Sequence, residues 1–290
     1  MNEPLRVTYD AISMVMTVAL NRPTRGNALS PALVEALLAL VRGVSETFGE
    51  RILGHAAVPT ALGHARQPLV RVFVITGVGK LFCAGMDLKA ASESAPTSNS
   101  TTANTIALFE AVRNLPMPSV LLLNGAALGG GTVFAFLVDF VLAVHDAYLQ
   151  FTEVKIGLLP AMISCFIVPR VGSAQASAMM LSGRRYAVHE LLRTCPGGIP
   201  IVSCDASDAA QLQQRGTQFI HEHLLTSSTL ASAHLKRLVR HICTHTHEEN
   251  CDEAQRVFAT VFASDDMQRG LAAFASRQKA DWAEQVKSRL

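Results

Sequence analysis

Two turns, Cys83-Ala84-Gly85 and Gly129-Gly130-Gly131, each close an apolar run, and each opens onto a segment able to form a helix. Glycine has no Cβ, so the backbone at 129–131 can come close to a ligand, and amides in the first turn of a helix have no intrahelical acceptor. Such amides hold an anion. If the strands before the two turns are neighbours, the amide of Ala84 converges with that of Gly130. Two convergent donors form an oxyanion hole, in which one donor is worth about 3 to 4 kcal/mol of transition-state stabilisation. The glycine run is not a phosphate loop. It lacks the Gly-Lys-Ser/Thr ending, and only Asp146 or Glu153 stands near where the dinucleotide fingerprint wants its acid.

Other reactive side chains fit less well. His241, Cys243, His245 and His247 are metal-binding types, and His241 and His245, four apart, can share a helix face, but Cys243 points elsewhere and no second pair completes a four-ligand set, so a polar helix surface and no metal site is expected. Ser164 and Cys165 have no adjacent histidine to activate a nucleophile. Glu110 and Asp139 are acids in helix-like or strand-edge positions, which suits structural roles.

The elements that must position the two turns follow from periodicity. Val7–Tyr9 and Met14–Leu20 are β-prone and end at Asn21-Arg22-Pro23, which predicts a hairpin. Ser30-Pro31 supplies an N-cap with proline at the first helical position, and Leu33, Leu37, Leu40, Val41 and Val44 recur at helical spacing. Residues 49–69 have no sustained period and are expected to form an inserted surface loop. Arg71–Thr76 is a buried-strand pattern leading into the first turn. The polar stretch 92–105 is expected to be mobile, as lid or linker, before a short amphipathic helix over Ile106–Leu115. Ser119–Leu123 returns to strand, the glycine run opens a helix over Thr132–Val138, and Phe140–Val144 and Tyr148–Phe151 are further strands. Strand, strand, helix therefore repeats, which predicts an α/β coil of ββα units with two sheet layers. From about Asp205 the chain is helical and more polar, giving an expected core over residues 1–204 and a helical region over 205–290 whose apolar faces a partner subunit can cover.

With 290 residues, 49% of them hydrophobic, the chain can bury a large core. Its 25 Lys plus Arg and 23 Asp plus Glu nearly balance, so neither nucleic acid nor an anionic membrane surface is an expected partner. Six scattered cysteines suit a reducing compartment. No run approaches the roughly 20 consecutive apolar residues of a membrane span, and the N-terminus lacks the pattern of a secretory signal. The final Ser288-Arg289-Leu290 is a conservative variant of the Ser-Lys-Leu peroxisomal address, so a peroxisome-type organelle is expected, with cytoplasm or mitochondrion otherwise.

Three segments together carry a resemblance: Phe82-Cys83-Ala84-Gly85-Met86-Asp87-Leu88, Asn124-Gly125-Ala126-Ala127-Leu128-Gly129-Gly130-Gly131, and Glu153-Val154-Lys155-Ile156-Gly157-Leu158-Leu159-Pro160. In order and spacing they resemble the signature segments of the enoyl-CoA hydratase/isomerase, or crotonase, family. Leu20-Asn21-Arg22-Pro23, Asn27-Ala28-Leu29-Ser30 and Leu181-Ser182-Gly183-Arg184-Arg185 are similar to two more. The resemblance implies a crotonase-like ββα spiral with a C-terminal helical trimerisation domain, assembled as a homotrimer or a dimer of trimers. It implies an acyl-CoA substrate, with coenzyme A part of the substrate and no separate cofactor. By matched positions, Ala84 and Gly130 would hold the thioester oxygen as an enolate forms. Arg25, Ala28, Met86, Asp87, Leu88 and Gly129 would line the substrate groove, and Arg277 and Lys279 would contact phosphate.

The resemblance breaks at one catalytic position. Hydratases of the family commonly use two glutamates to hold a water; one matches Glu153, and the other falls on Val133, which cannot transfer a proton. Relatives that move a double bond need only one carboxylate, and some members similar to those acting on methylglutaconyl-CoA also lack the first glutamate. Glu153 is then the single acid/base, its pKa raised by an apolar wall of Val133, Phe151 and Leu158. The alternative is a relative that binds acyl-CoA without catalysis and serves as a subunit or scaffold.

Overall fold

The computed structural model describes residues 3–55, 67–89, 99–195 and 197–287. The expected hairpin is present: β1 (Leu5–Asp10) and β2 (Val15–Leu20) pair antiparallel, with Met16, Val18 and Leu20 alternating into the core. Helix α1 (Pro31–Ile52) starts as its sequence dictates, with Ser30 Oγ accepting from the Leu33 amide at 3.3 Å and Pro31 in the first turn. Leu33, Leu37, Val41, Val44 and Phe48 then form its buried stripe. The helix extends through Ile52, so the loop expected from residue 49 begins later; residues 56–66 lie outside the described residues.

The next strands come in pairs: β3 (Val72–Gly77) with β4 (Leu81–Cys83), β5 (Ser119–Leu123) with β6 (Ala126–Leu128), and β7 (Phe140–Val144) with β8 (Tyr148–Gln150). The first strand of each pair joins a six-stranded sheet, β1-β2-β3-β5-β7-β10, and the second joins a four-stranded sheet, β4-β6-β8-β9. Strand β9 is Arg185–Ala187 and β10 is Ile201–Ala206. Helix α2 (Asn99–Arg113) follows the first pair, and a 3-10 turn (Gly129–Val133) running into α3 (Phe134–Leu137) follows the second. After the third pair come α4 (Ala161–Val171) and α5 (Ser173–Ser182), and α6 (Val188–Thr194) precedes β10. This is the predicted coil. Strands β3, β5 and β7 read as almost continuous apolar runs because they are covered on both faces. Part of the stretch expected to be mobile, 99–105, is the first half of α2, while 90–98 lie outside the described residues. Its threonines do not prevent the helix, since Thr105 Oγ1 donates back to the Thr101 carbonyl at 2.8 Å.

One consequence of the coil decides the site. Strands β4, β6 and β8 are parallel neighbours, with Cys83 opposite Ala127 and Leu128 opposite Gln150. Their carboxyl ends therefore sit side by side, roughly 5 Å apart per strand, and residues 84–88, 129–133 and 151–156 all leave from the same edge.

The remaining helices are α7 (Ala209–Phe219), α8 (Thr229–Ile242), α9 (His247–Phe262), α10 (Asp265–Ala275) and α11 (Trp282–Lys287). They are fastened to the coil by buried cations. Lys236 on α8 donates to Met117 O at 2.8 Å and Ser119 Oγ at 3.2 Å, and pairs with Asp139. Arg71 donates through Nε to Thr229 Oγ1 at 3.0 Å and through Nη2 to Leu225 O at 3.1 Å. Among the described residues no helix is long and apolar enough to cross a membrane.

Candidate active site

The first turn corrects one expectation. The amide of Ala84 donates to the Gly26 carbonyl at 2.8 Å, so it is consumed within the fold and does not face a ligand. Past it the chain reverses at Gly85, whose φ of +90° favours glycine and whose missing Cβ would lie 2.8 Å from Leu128 O and 3.2 Å from Gly130 N. The two turns touch. Leu29 N then donates to Gly85 O at 2.8 Å and Asp87 N to Leu29 O at 3.2 Å, a parallel bridge between Leu29 and Met86. In such a bridge the flanking residues 85 and 87 point at the partner, so the amide between them, Met86 N, points the other way. That direction holds Gly130, from whose ideal Cβ position Met86 N is 3.8 Å. Met86, expected only as a groove residue, replaces Ala84 as the backbone donor beside Gly130.

In the second turn, Leu128 is still extended and Gly129 switches to φ +47°. Gly130 is the second residue of the 3-10 turn, where amides have no intrahelical acceptor. Thr132 Oγ1 donates to Gly129 O at 2.7 Å and holds the turn closed. Val133 is completely buried.

From the third strand comes Glu153, the first residue of a 3-10 turn (Glu153–Ile156) that Gly157 ends at φ 75°. Its carboxylate lies against the glycine run: a Cβ on Gly129 would be 3.1 Å from Oε1. Among the described residues Oε2 is the buried side-chain oxygen that has no hydrogen-bond partner. Burial raises the Glu153 pKa above the ordinary carboxylate value, opposed by the amides of Glu153 and Thr152. The apolar wall differs from expectation in one member. Val133 and Phe151 are buried, but Leu158 is about half exposed because the chain leaves the core after Gly157.

The other groove residues divide. Ala28 is buried, while Arg25 and Leu88 are exposed on the segments flanking the turns. The Asp87 side chain is turned to Arg22, whose Nη2 donates to Oδ2 at 2.9 Å while Nη1 donates to Ala28 O at 2.6 Å. Arg277 and Lys279 are exposed after α10, and among the described residues no hydrogen bond ties either side chain to the strand ends. Sequence reasoning gave no role to Arg22 or to Asn27. Asn27 is fully buried, accepts from Arg22 N at 2.9 Å and donates to Val78 O and Leu81 O at 3.0 and 2.8 Å. The signal was a polar pair in a turn close to the first signature segment only in space.

A coil of ββα turns whose neighbouring strand ends bring together a carboxylate and two glycine-bearing turns defines a crotonase-like protein. The chain belongs to the enoyl-CoA hydratase/isomerase family, whose sequence profile matches residues 57–285. It is 31% identical to enoyl-CoA hydratase ACTT6 of Alternaria alternata over 290 residues, covering 97% of this chain and 86% of that protein. It is also 32% identical to carnitinyl-CoA dehydratase of Escherichia coli K12 over 227 residues, covering 74% and 82%. Among solved structures, AtuE of Pseudomonas aeruginosa superposes with a TM-score of 0.81 at 30% identity, covering 97% of this chain and 100% of that one. An enoyl-CoA hydratase of Mycobacterium smegmatis shares the fold with a TM-score of 0.80 at 21% identity, covering 97% and 99%.

Proposed function

We propose that the chain is an enoyl-CoA hydratase or isomerase that works with one acid. The amides of Met86 and Gly130 polarise the thioester carbonyl and stabilise the enolate that forms when charge moves onto its oxygen. Glu153 takes or returns the proton at the neighbouring carbons. The observation that carries this reading is the packing of Glu153 Oε1 against Gly129, one residue before the Gly130 amide, with Oε2 buried and unpartnered. Its free oxygen and raised pKa suit a group that must exist in both protonation states near neutral pH. Val133 supports proton relocation, or hydration with a single base, over a water held between two glutamates.

Coenzyme A arrives with the substrate, over Arg25, Ala28 and Leu88, and the reaction asks for no metal or redox group. The exposed Phe258 and Phe262 on α9 and Phe274 on α10 support association of copies into a trimer or dimer of trimers. Ser288-Arg289-Leu290, outside the described residues, would direct the protein to a peroxisome-type organelle. The same Val133 favours a second reading, an acyl-CoA-binding protein without catalysis.

Purified protein assayed on 2-enoyl-, 3-enoyl- and methylglutaconyl-CoA, with α-proton exchange followed in deuterated water, separates the readings. Turnover or exchange that disappears in Glu153→Gln supports the enzyme. Thioester binding without exchange supports the second reading. A C-terminal fusion that masks Leu290 tests the address, which is wrong if location does not change.

A further inference from the structure

Away from the strand ends, a cavity of roughly 520 Å³ lies between α8 and the coil, within the size range of small-ligand sites. Phe136, Phe166, Pro169, Leu235 and Val239 give it apolar walls. Its charged lining is one-sided: Arg113, Arg170, Lys236 and Arg240 face one carboxylate, Asp139. That carboxylate is already engaged, since it accepts from Ser119 N and Oγ at 2.8 and 2.7 Å and pairs with Lys236. Arg170 and Arg240 feel that same carboxylate only at a distance and have no ion pair of their own among the described residues. Arg170 donates to the carbonyls of Phe136 and Val138 at 3.2 and 3.4 Å, and Arg240 to that of Leu115 at 3.4 Å. Carbonyls satisfy donors without cancelling charge, and each guanidinium has five N–H groups to place. Arg113, at the end of α2, is exposed and has no ion pair among the described residues. Burial lowers the pKa of Arg170 and Arg240; attraction to Asp139 offsets part of this in both and repulsion from Arg113 adds to it, which places the three cations and that one carboxylate within electrostatic reach of one another.

We infer that this cavity binds an amphipathic carboxylate, an acyl chain whose terminal –COO⁻ is held by Arg113, Arg170 and Arg240 while the chain lies along the apolar walls. A small hydrophilic anion would leave those walls wet, and a neutral chain would leave the cations unpaired. The planar guanidinium matches a carboxylate in two-point geometry. The cavity shares no lining residue with the Glu153 site. Its Phe136 wall belongs to α3, the continuation of the turn that carries Gly130. The bound ligand is therefore placed to act as an effector and not as a second substrate.

Calorimetric titration of the intact protein with decanoate, decanol and inorganic phosphate tests the inference. Decanoate should bind saturably, one per chain, at least tenfold more tightly than decanol or phosphate. Arg113→Glu, at an exposed position, and Val239→Trp, which fills the mouth, should each weaken decanoate at least tenfold while circular dichroism is unchanged. Equal binding of decanol overturns the role of the cations. Decanoate binding that both variants leave intact lies elsewhere and overturns the site. No binding at all, as when another copy of the chain fills the cavity, overturns it too. Inactivity toward every thioester would leave this inference standing, because Glu153 takes no part in it.

Discussion

Glu153 carries two opposite demands. A buried carboxylate with a raised pKa binds its proton more tightly in the folded than in the unfolded chain. Between the unfolded and the folded pKa the native state holds the extra proton, so stability falls as pH rises through that window. Ionising Glu153 in this buried place is a local cost, which the proposed acid/base role would account for. Glu153→Gln should therefore lower kcat about 100- to 10,000-fold while the melting temperature holds or rises at pH 7, measured by steady-state kinetics and thermal unfolding. In the wild type, activity that needs the ionised base should fall as pH drops through a value above the usual glutamate range, read from a kcat/KM profile. Gly129→Ala places a methyl 3.1 Å from Oε1 at φ +47°. It should cost about 1 kcal/mol of stability and a larger share of kcat, because the carboxylate must shift. The juxtaposition of Glu153 with the glycine run that holds Gly130 was legible in the sequence, and the structure brings the two together. The donor opposite Gly130 was misread as Ala84 because side-chain type says nothing about where a backbone N–H points; the reversal at Gly85 decides that.

At the scale of elements, three strand ends and two tethers build the site. The tether formed by Arg22 is the longer reach, joining the Ala28 segment to Asp87 across 65 residues of sequence. Arg22→Ala should destabilise the fold by about 2 kcal/mol through lost charge-assisted bonds and should raise KM more than the melting temperature alone would suggest, since the 84–88 turn loses its anchor; thermal unfolding and kinetics at saturating substrate check both. The strand pairs were legible because β3, β5 and β7 are unbroken apolar runs and the hairpin alternates. Helix α2 was read short, since the stretch 99–105 is polar on its own and becomes helical in continuity with Ile106–Leu115. The importance of Asn27 and Arg22 was hidden for the reason that hides most long-range hydrogen bonds: neither periodicity nor local composition reports on a partner fifty or more residues away.

For the molecule as a whole, the contacts described between the C-terminal helices and the coil include those of buried Arg71 and of Lys236, whose side chain is mostly enclosed. Lys236→Met should cost about 3 kcal/mol by leaving Asp139 short of its cation, seen as a lower midpoint in urea unfolding. Burial drops the Lys236 pKa to about 8. Phe258→Glu with Phe274→Glu should reduce the assembly to single chains in sedimentation analysis if the apolar faces of α9 and α10 join copies. The spiral was legible from the repeat of strand, strand and helix; the helical end was legible only as amphipathic segments, because its seating depends on Arg71 and Lys236 reaching into another layer. The coil also has a consequence for how such a protein can change over time. Each of the three chemical parts is delivered by its own winding and rests on its own rung, so one rung can be rewritten without rebuilding its neighbours. An acid can be exchanged for a valine at position 133 while the rungs that present Met86 and Glu153 stay where they are, and a new reaction can be reached by small edits on an unmoved ladder.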